Sequence, residues 1–119
     1  MTTRPQGEPT ISLRRDSAEY PITRIVVLDD AGQERAHVVL STRHVRIGTS
    51  PVNDVVLGDP HASRFHCELR LTDEGFLLRD LGSTNGTRIG ELTIKEALVR
   101  PGVTVEVGET KLRVLADEK

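Results

Sequence analysis

HCELRLTDEGFLLRD, residues 66–80, alternates in polarity on either side of a turn. In its first half Cys67, Leu69 and Leu71 fall on one side of an extended chain while His66, Glu68 and Arg70 fall on the other, as successive strand residues must. Asp73-Glu74-Gly75 supplies turn chemistry, and Phe76 to Asp80 reads as the returning strand. The same alternation recurs near the end of the chain, where Leu112 and Val114 oppose Lys111 and Arg113. Between these points lie brief β-branched and leucine-rich segments separated by Gly, Pro, Asn and Asp, and a helical period is nowhere sustained. Beyond 66–71 and 76–80, the spacing predicts strands over 22–28, 35–40, 44–48, 55–57, 87–89, 92–94, 103–107 and 111–115. Turns are expected at Ala31-Gly32, Gly90-Glu91 and Gly108-Glu109, the last two suited to tight hairpins with Gly first. About ten strands in so short a chain imply an all-β fold, a two-sheet antiparallel β-sandwich.

A chain of 119 residues, 36% of them hydrophobic, is sized for one domain with a single core. Residues 1–20 are polar, carry Pro5 and Pro9 and show no apolar period, so a flexible tail is expected there, with the folded domain over 21–117. Cys67 is the lone cysteine. It excludes an internal disulfide, no cysteine–histidine cluster accompanies it, and a reducing cytoplasmic setting with no metal and no cofactor is expected. Sixteen basic against eighteen acidic residues give a net charge of −2, which argues against a broad electrostatic grip on nucleic acid or an anionic membrane. Aromatics at 3%, without Trp, argue against a base-stacking platform. No apolar run approaches the roughly 20 residues of a membrane span, and the first residues lack the apolar stretch of a secretory signal.

Three segments between strands hold polar residues that a plain sandwich does not need: Arg46-Ile47-Gly48-Thr49-Ser50, Ala62-Ser63-Arg64-Phe65-His66 and Gly82-Ser83-Thr84-Asn85-Gly86-Thr87. Loops on a rigid scaffold are the usual place for binding residues. This set offers hydroxyls, an amide, guanidinium groups and backbone N–H groups beside glycines, which are donors for a phosphate dianion. Ser63 and His66 look superficially like a nucleophile and base, but neither an acid partner nor a Gly-x-Ser-x-Gly elbow accompanies them, so no enzyme is expected. The spacings of His37, His44, His61 and His66 fit no compact metal site. Cys67, on the apolar side of its strand, reads as inert core.

Three blocks in order, VRIGTSPVNDVVL (45–57), ASRFHCEL (62–69) and LRDLGSTNGTRIG (78–90), resemble the signature blocks of the forkhead-associated (FHA) domain, across about Ile22 to Leu115. The resemblance implies an eleven-stranded β-sandwich whose loops bind a phosphothreonine peptide, without catalysis. It further implies that Ser63 and Arg64 contact the phosphate, that Thr84 lies beside it and that the Asn85 amide holds the peptide backbone, while Gly48, His66 and Gly86 shape the loops. One position departs from the pattern: Thr49 follows the glycine where the family usually carries a phosphate-gripping Arg. A hydroxyl replaces one hydrogen bond but neither the charge nor the forked geometry. Spacing leaves open whether Arg46 or Arg43 supplies the missing group. The run is similar to FHA domains at the N-terminus of bacterial sigma-54-dependent transcription activators, which implies a sensory segment of a larger regulator. Expected partners are a phosphothreonine-containing protein or the chain's own phosphorylated segment, with a Ser/Thr kinase upstream. Thr49 favours the alternative, a phosphate-independent interaction or oligomerisation domain on the same fold.

Overall fold

The computed structural model describes residues 22–117 as eleven strands in two sheets. In chain order they are β1 Ile22–Leu28, β2 Glu34–Leu40, β3 His44–Gly48, β4 Val55–Val56, β5 Cys67–Thr72, β6 Gly75–Asp80, β7 Thr87–Ile89, β8 Leu92–Ile94, β9 Glu96–Val99, β10 Thr104–Val107 and β11 Thr110–Asp117. A six-stranded sheet runs β2-β1-β11-β10-β7-β8 and a five-stranded sheet β4-β3-β5-β6-β9. The expected tail lies outside the described residues.

Alternation places the core. Ile25, Val105, Val107, Leu112 and Val114 from the larger sheet meet Val45, Ile47, Leu69, Phe76, Leu78 and Val99 from the smaller one. Cys67 joins them with no exposed surface, and burial pushes its thiol up to about 12, so it is unreactive core. The hairpins at Gly90-Glu91 and Gly108-Glu109 form as two-residue loops, with Ile89 opposite Leu92 and Val107 opposite Thr110. Their first residues sit at φ +61° and +63°, a region open to Gly at little cost.

Two features differ from the sequence expectation. Glu96–Val99 is a strand that the alternation does not reveal, because its outward position 98 is a leucine and the polarity contrast is lost. The sandwich is also not wholly antiparallel: Ile47 and Gly48 pair in parallel with Val55 and Val56. Such a pairing normally needs a long crossover. Here the loop 49–54 doubles back on itself, its Asp54 N–H donating to the Arg46 carbonyl and the Asp54 carboxylate accepting from the Arg46 N–H at 2.8 Å.

Among the described residues no helix is long and apolar enough to cross a membrane. The register brings the loops 49–54, 57–66 and 81–86 to one end of the sandwich, since Ile47 faces Cys67, which faces Asp80.

Candidate functional site

At that end the backbones of two of the predicted blocks lie side by side. The N–H groups of Thr49 and Ser50 donate to the carbonyls of Ser63 and Arg64, and His66 N–H donates to the Ile47 carbonyl. A Cβ on Gly48 would land on the Arg64 carbonyl and 2.9 Å from the Asn53 amide nitrogen, so only glycine permits this approach. Asn53, buried, bridges the loops by donating to the carbonyls of Ser50 and Arg64 at 2.9 and 2.8 Å.

His66 ties the second block to the third. The Ser63 N–H donates to its Nδ1 at 3.0 Å, and its Nε2 lies 2.9 Å from the Gly86 carbonyl. A backbone N–H only donates and a carbonyl only accepts, so the ring is neutral with its proton on Nε2. It is wholly buried. The Ser63 hydroxyl accepts from the Thr84 N–H at 3.0 Å, which leaves its own proton to donate outward. Ser63 and His66 thus meet through the serine backbone rather than its hydroxyl. Asn85 reaches back to donate to the His61 carbonyl at 2.8 Å, using one of its two amide protons. Ser63, Thr84 and Asn85 are therefore brought together.

Arg64 is exposed at the same end. Thr49 is half-buried, its N–H committed to Ser63. Arg46 occupies the outer face of β3, opposite Glu68, before the chain reaches the loops. The cluster presents hydroxyl, amide and guanidinium donors and, among the described residues, no group of side chains that could hold a metal.

Two carboxylates missing from the sequence reading organise the end. Asp80 accepts from the Gly82 and Ser83 N–H groups at 3.0 Å and from the hydroxyls of Ser83 and Thr87 at 2.6 and 2.7 Å. Ser83 Oγ in turn accepts from Gly86 N–H. Burial alone would raise the Asp80 pKa, but those hydrogen bonds outweigh it and hold the carboxyl below its usual range. Asp59 does the same for the 57–66 loop, accepting from His61 N–H and, across the sandwich, from Glu109 N–H and the Thr110 hydroxyl. Its pKa is lowered too, burial again being outweighed by those bonds. Asp-x-Gly-Ser in the third block was a readable signal for the first; Asp59-Pro60 signals a turn at the second, but nothing local marks its contacts with Glu109 and Thr110.

The FHA domain family model matches residues 45–108. FHA domain-containing protein FhaB of Mycobacterium tuberculosis is 31% identical over 102 residues, covering 85% of this chain and 63% of that protein. The chain thus spans under two thirds of this curated relative's length. A solved structure from work on phosphothreonine-dependent FHA domain interactions is 26% identical with a TM-score of 0.69, covering 79% of this chain and 95% of that one. The FhaA FHA domain, solved in complex with the intracellular domain of Rv3910, is 27% identical with a TM-score of 0.67, covering 77% and 98%.

Proposed function

This chain belongs to the FHA domain family, and from that premise we propose that its loop end reads phosphothreonine in a partner protein. The observation that carries the reading is the convergence of the Ser63 hydroxyl, Thr84 and Asn85, held by the buried His66 brace. Ser63 donates to the phosphate, Arg64 supplies the charge and Asn85 fixes the peptide backbone with its remaining amide proton. Thr49 and Arg46 complete the rim, and Gly48, His66 and Gly86 keep the loops in place. The domain binds and does not catalyse. It acts in the cytoplasm downstream of a Ser/Thr kinase, as the sensory segment of a bacterial transcriptional regulator. A phosphorylated segment of its own chain, such as one at Thr10 outside the described residues, competes for the same site, because a tether supplies a high effective concentration.

Titration of a degenerate phosphothreonine peptide library, with the unphosphorylated library as control, tests this. Binding restricted to the phosphorylated pool is expected, weakening from pH 7.5 to 5.5 as the phosphate passes its second pKa near 6. A second reading rests on Thr49: without the usual arginine, the fold serves a phosphate-independent interaction. Equal binding of both pools would establish it.

A further inference from the structure

The outer face of the five-stranded sheet, turned away from the core, carries an ordered pattern. Leu98 of β9, Leu77 of β6, Arg70 of β5 and His44 of β3 are consecutive cross-strand partners, forming one row across four strands. Beside it runs a second row, Glu96, Arg79, Glu68 and Arg46. Leu98 is 43% exposed, and no described element packs over it. An open cleft of about 400 Å³ lies at the leucine end, rimmed by Asp73 and Glu74. Another, of about 370 Å³, lies at the cationic end between Arg70, Arg43 and His44.

The charges on this face are separated along it, with Asp73 and Glu74 at the leucine end and Arg43 and Arg70 at the other. Glu68 is buried although it lies on an outer face, because His44 approaches at 2.6 Å and Arg79 at 3.4 Å. Arg79 supplies an ion pair and His44 a hydrogen bond. Arg46 and Arg70 are exposed, and their side chains make no hydrogen bond or ion pair among the described residues. A chain of net charge −2 thus places two exposed arginines beside the exposed Leu98 and the half-buried Leu77.

We propose that this face is a second docking surface, for an extended, unphosphorylated segment of a partner protein carrying an apolar side chain and an acidic one three residues away. The spacing follows from sheet geometry. The leucine pair and the Arg70–His44 pair lie two strand intervals apart, about 10 Å, close to the rise of one three-residue turn of a polyproline-II segment, which brings residues i and i+3 back to the same side. Charge fixes the orientation: the acidic rim of Asp73 and Glu74 repels a carboxylate from the leucine end, and Arg70 attracts it to the other. The surface lies apart from the loop end and needs no phosphate.

A peptide of three Leu-Ser-Ser-Glu repeats, titrated into the isotope-labelled full chain and followed by amide NMR, tests the proposal. Shifts at Arg70, Leu77 and Leu98 are expected, with Ser63, Thr84 and Asn85 unmoved. A Leu-Ser-Ser-Lys peptide should leave the face silent, and raising salt from about 50 to about 500 mM should weaken the Glu peptide at least fivefold. Arg70→Glu and Leu98→Ser, both at exposed positions, should each weaken it at least tenfold and leave the fold intact by circular dichroism. Silence of the face toward the Glu peptide overturns the proposal. So do shifts at the loop end alone, shifts that follow protein concentration without peptide, which mean self-association, and co-sedimentation with phosphatidylserine vesicles that Arg70→Glu abolishes, which means a lipid surface. Arg64→Ala should not alter this titration, so failure here and failure of phosphothreonine reading are distinguishable.

Discussion

In the proposed phosphothreonine site Thr49 stands where the family usually carries an arginine, and the charge is assigned to the exposed Arg64. If Arg64 carries the charge, Arg64→Ala should weaken a phosphothreonine peptide roughly tenfold to a hundredfold, the loss of a charged hydrogen bond of about 1.5 to 3 kcal/mol. Calorimetry with unchanged affinity would refute that role. Thr49→Arg should strengthen the same peptide by a few-fold to about thirtyfold, the new contact being offset by ordering a long side chain. Fluorescence anisotropy of wild type and variant decides it, and weaker binding by the variant would show that Thr49 already makes the contact. His66 acts through the fold. His66→Ala strands the part-buried Ser63 N–H and Gly86 carbonyl and opens a cavity where the wholly buried ring was, so urea unfolding should show a loss of about 3 kcal/mol. A loss under about 1 kcal/mol would mean that the brace is dispensable.

Between β6 and β7 the 81–86 loop owes its shape to one carboxylate at its entrance. Asp80 accepts four hydrogen bonds, and in Asp80→Asn the amide nitrogen faces groups that can only donate to it or must reorient. A cost of about 2 kcal/mol is expected, with hydrogen exchange accelerated at Gly82 and Ser83 and unchanged at Leu78 within the strand. Uniform acceleration would show that Asp80 stabilises the whole domain rather than the loop. The elements themselves were unevenly legible. Strands with a polar outer face, such as Cys67–Thr72, announce themselves by alternation, whereas Glu96–Val99 hides behind the outward Leu98. That same leucine forms half of the apolar pair on the outer face, so the residue that obscured the strand bears on a surface role.

Among the described residues three carboxyls, Asp59, Glu68 and Asp80, are held below their ordinary values of 3.8 for Asp and 4.5 for Glu. For Glu68 the leading cause is the His44 hydrogen bond. Groups with a depressed folded-state pKa contribute stability that is complete above the unfolded value and is lost as pH falls through the folded one. Urea midpoints should therefore show no loss from these three groups while they stay ionised above about pH 5 and should drop below pH 4, with Asp59→Asn flattening the drop. An unchanged acid limb in that variant would place the linkage elsewhere. The sequence alone determined the strand-rich class, most strand positions and the three loop blocks, because period-two alternation and turn chemistry are local properties. Tertiary structure decided which strands pair, with β11 inserted between β1 and β10, and so which loops meet. It also decided the tautomer of His66, the partnership of Asp59 with Glu109 and Thr110, and the rows on the outer sheet face. The reason is that hydrogen-bond partners and cross-strand neighbours are set by register between distant segments, and a side chain's polarity says that it needs a partner without saying which.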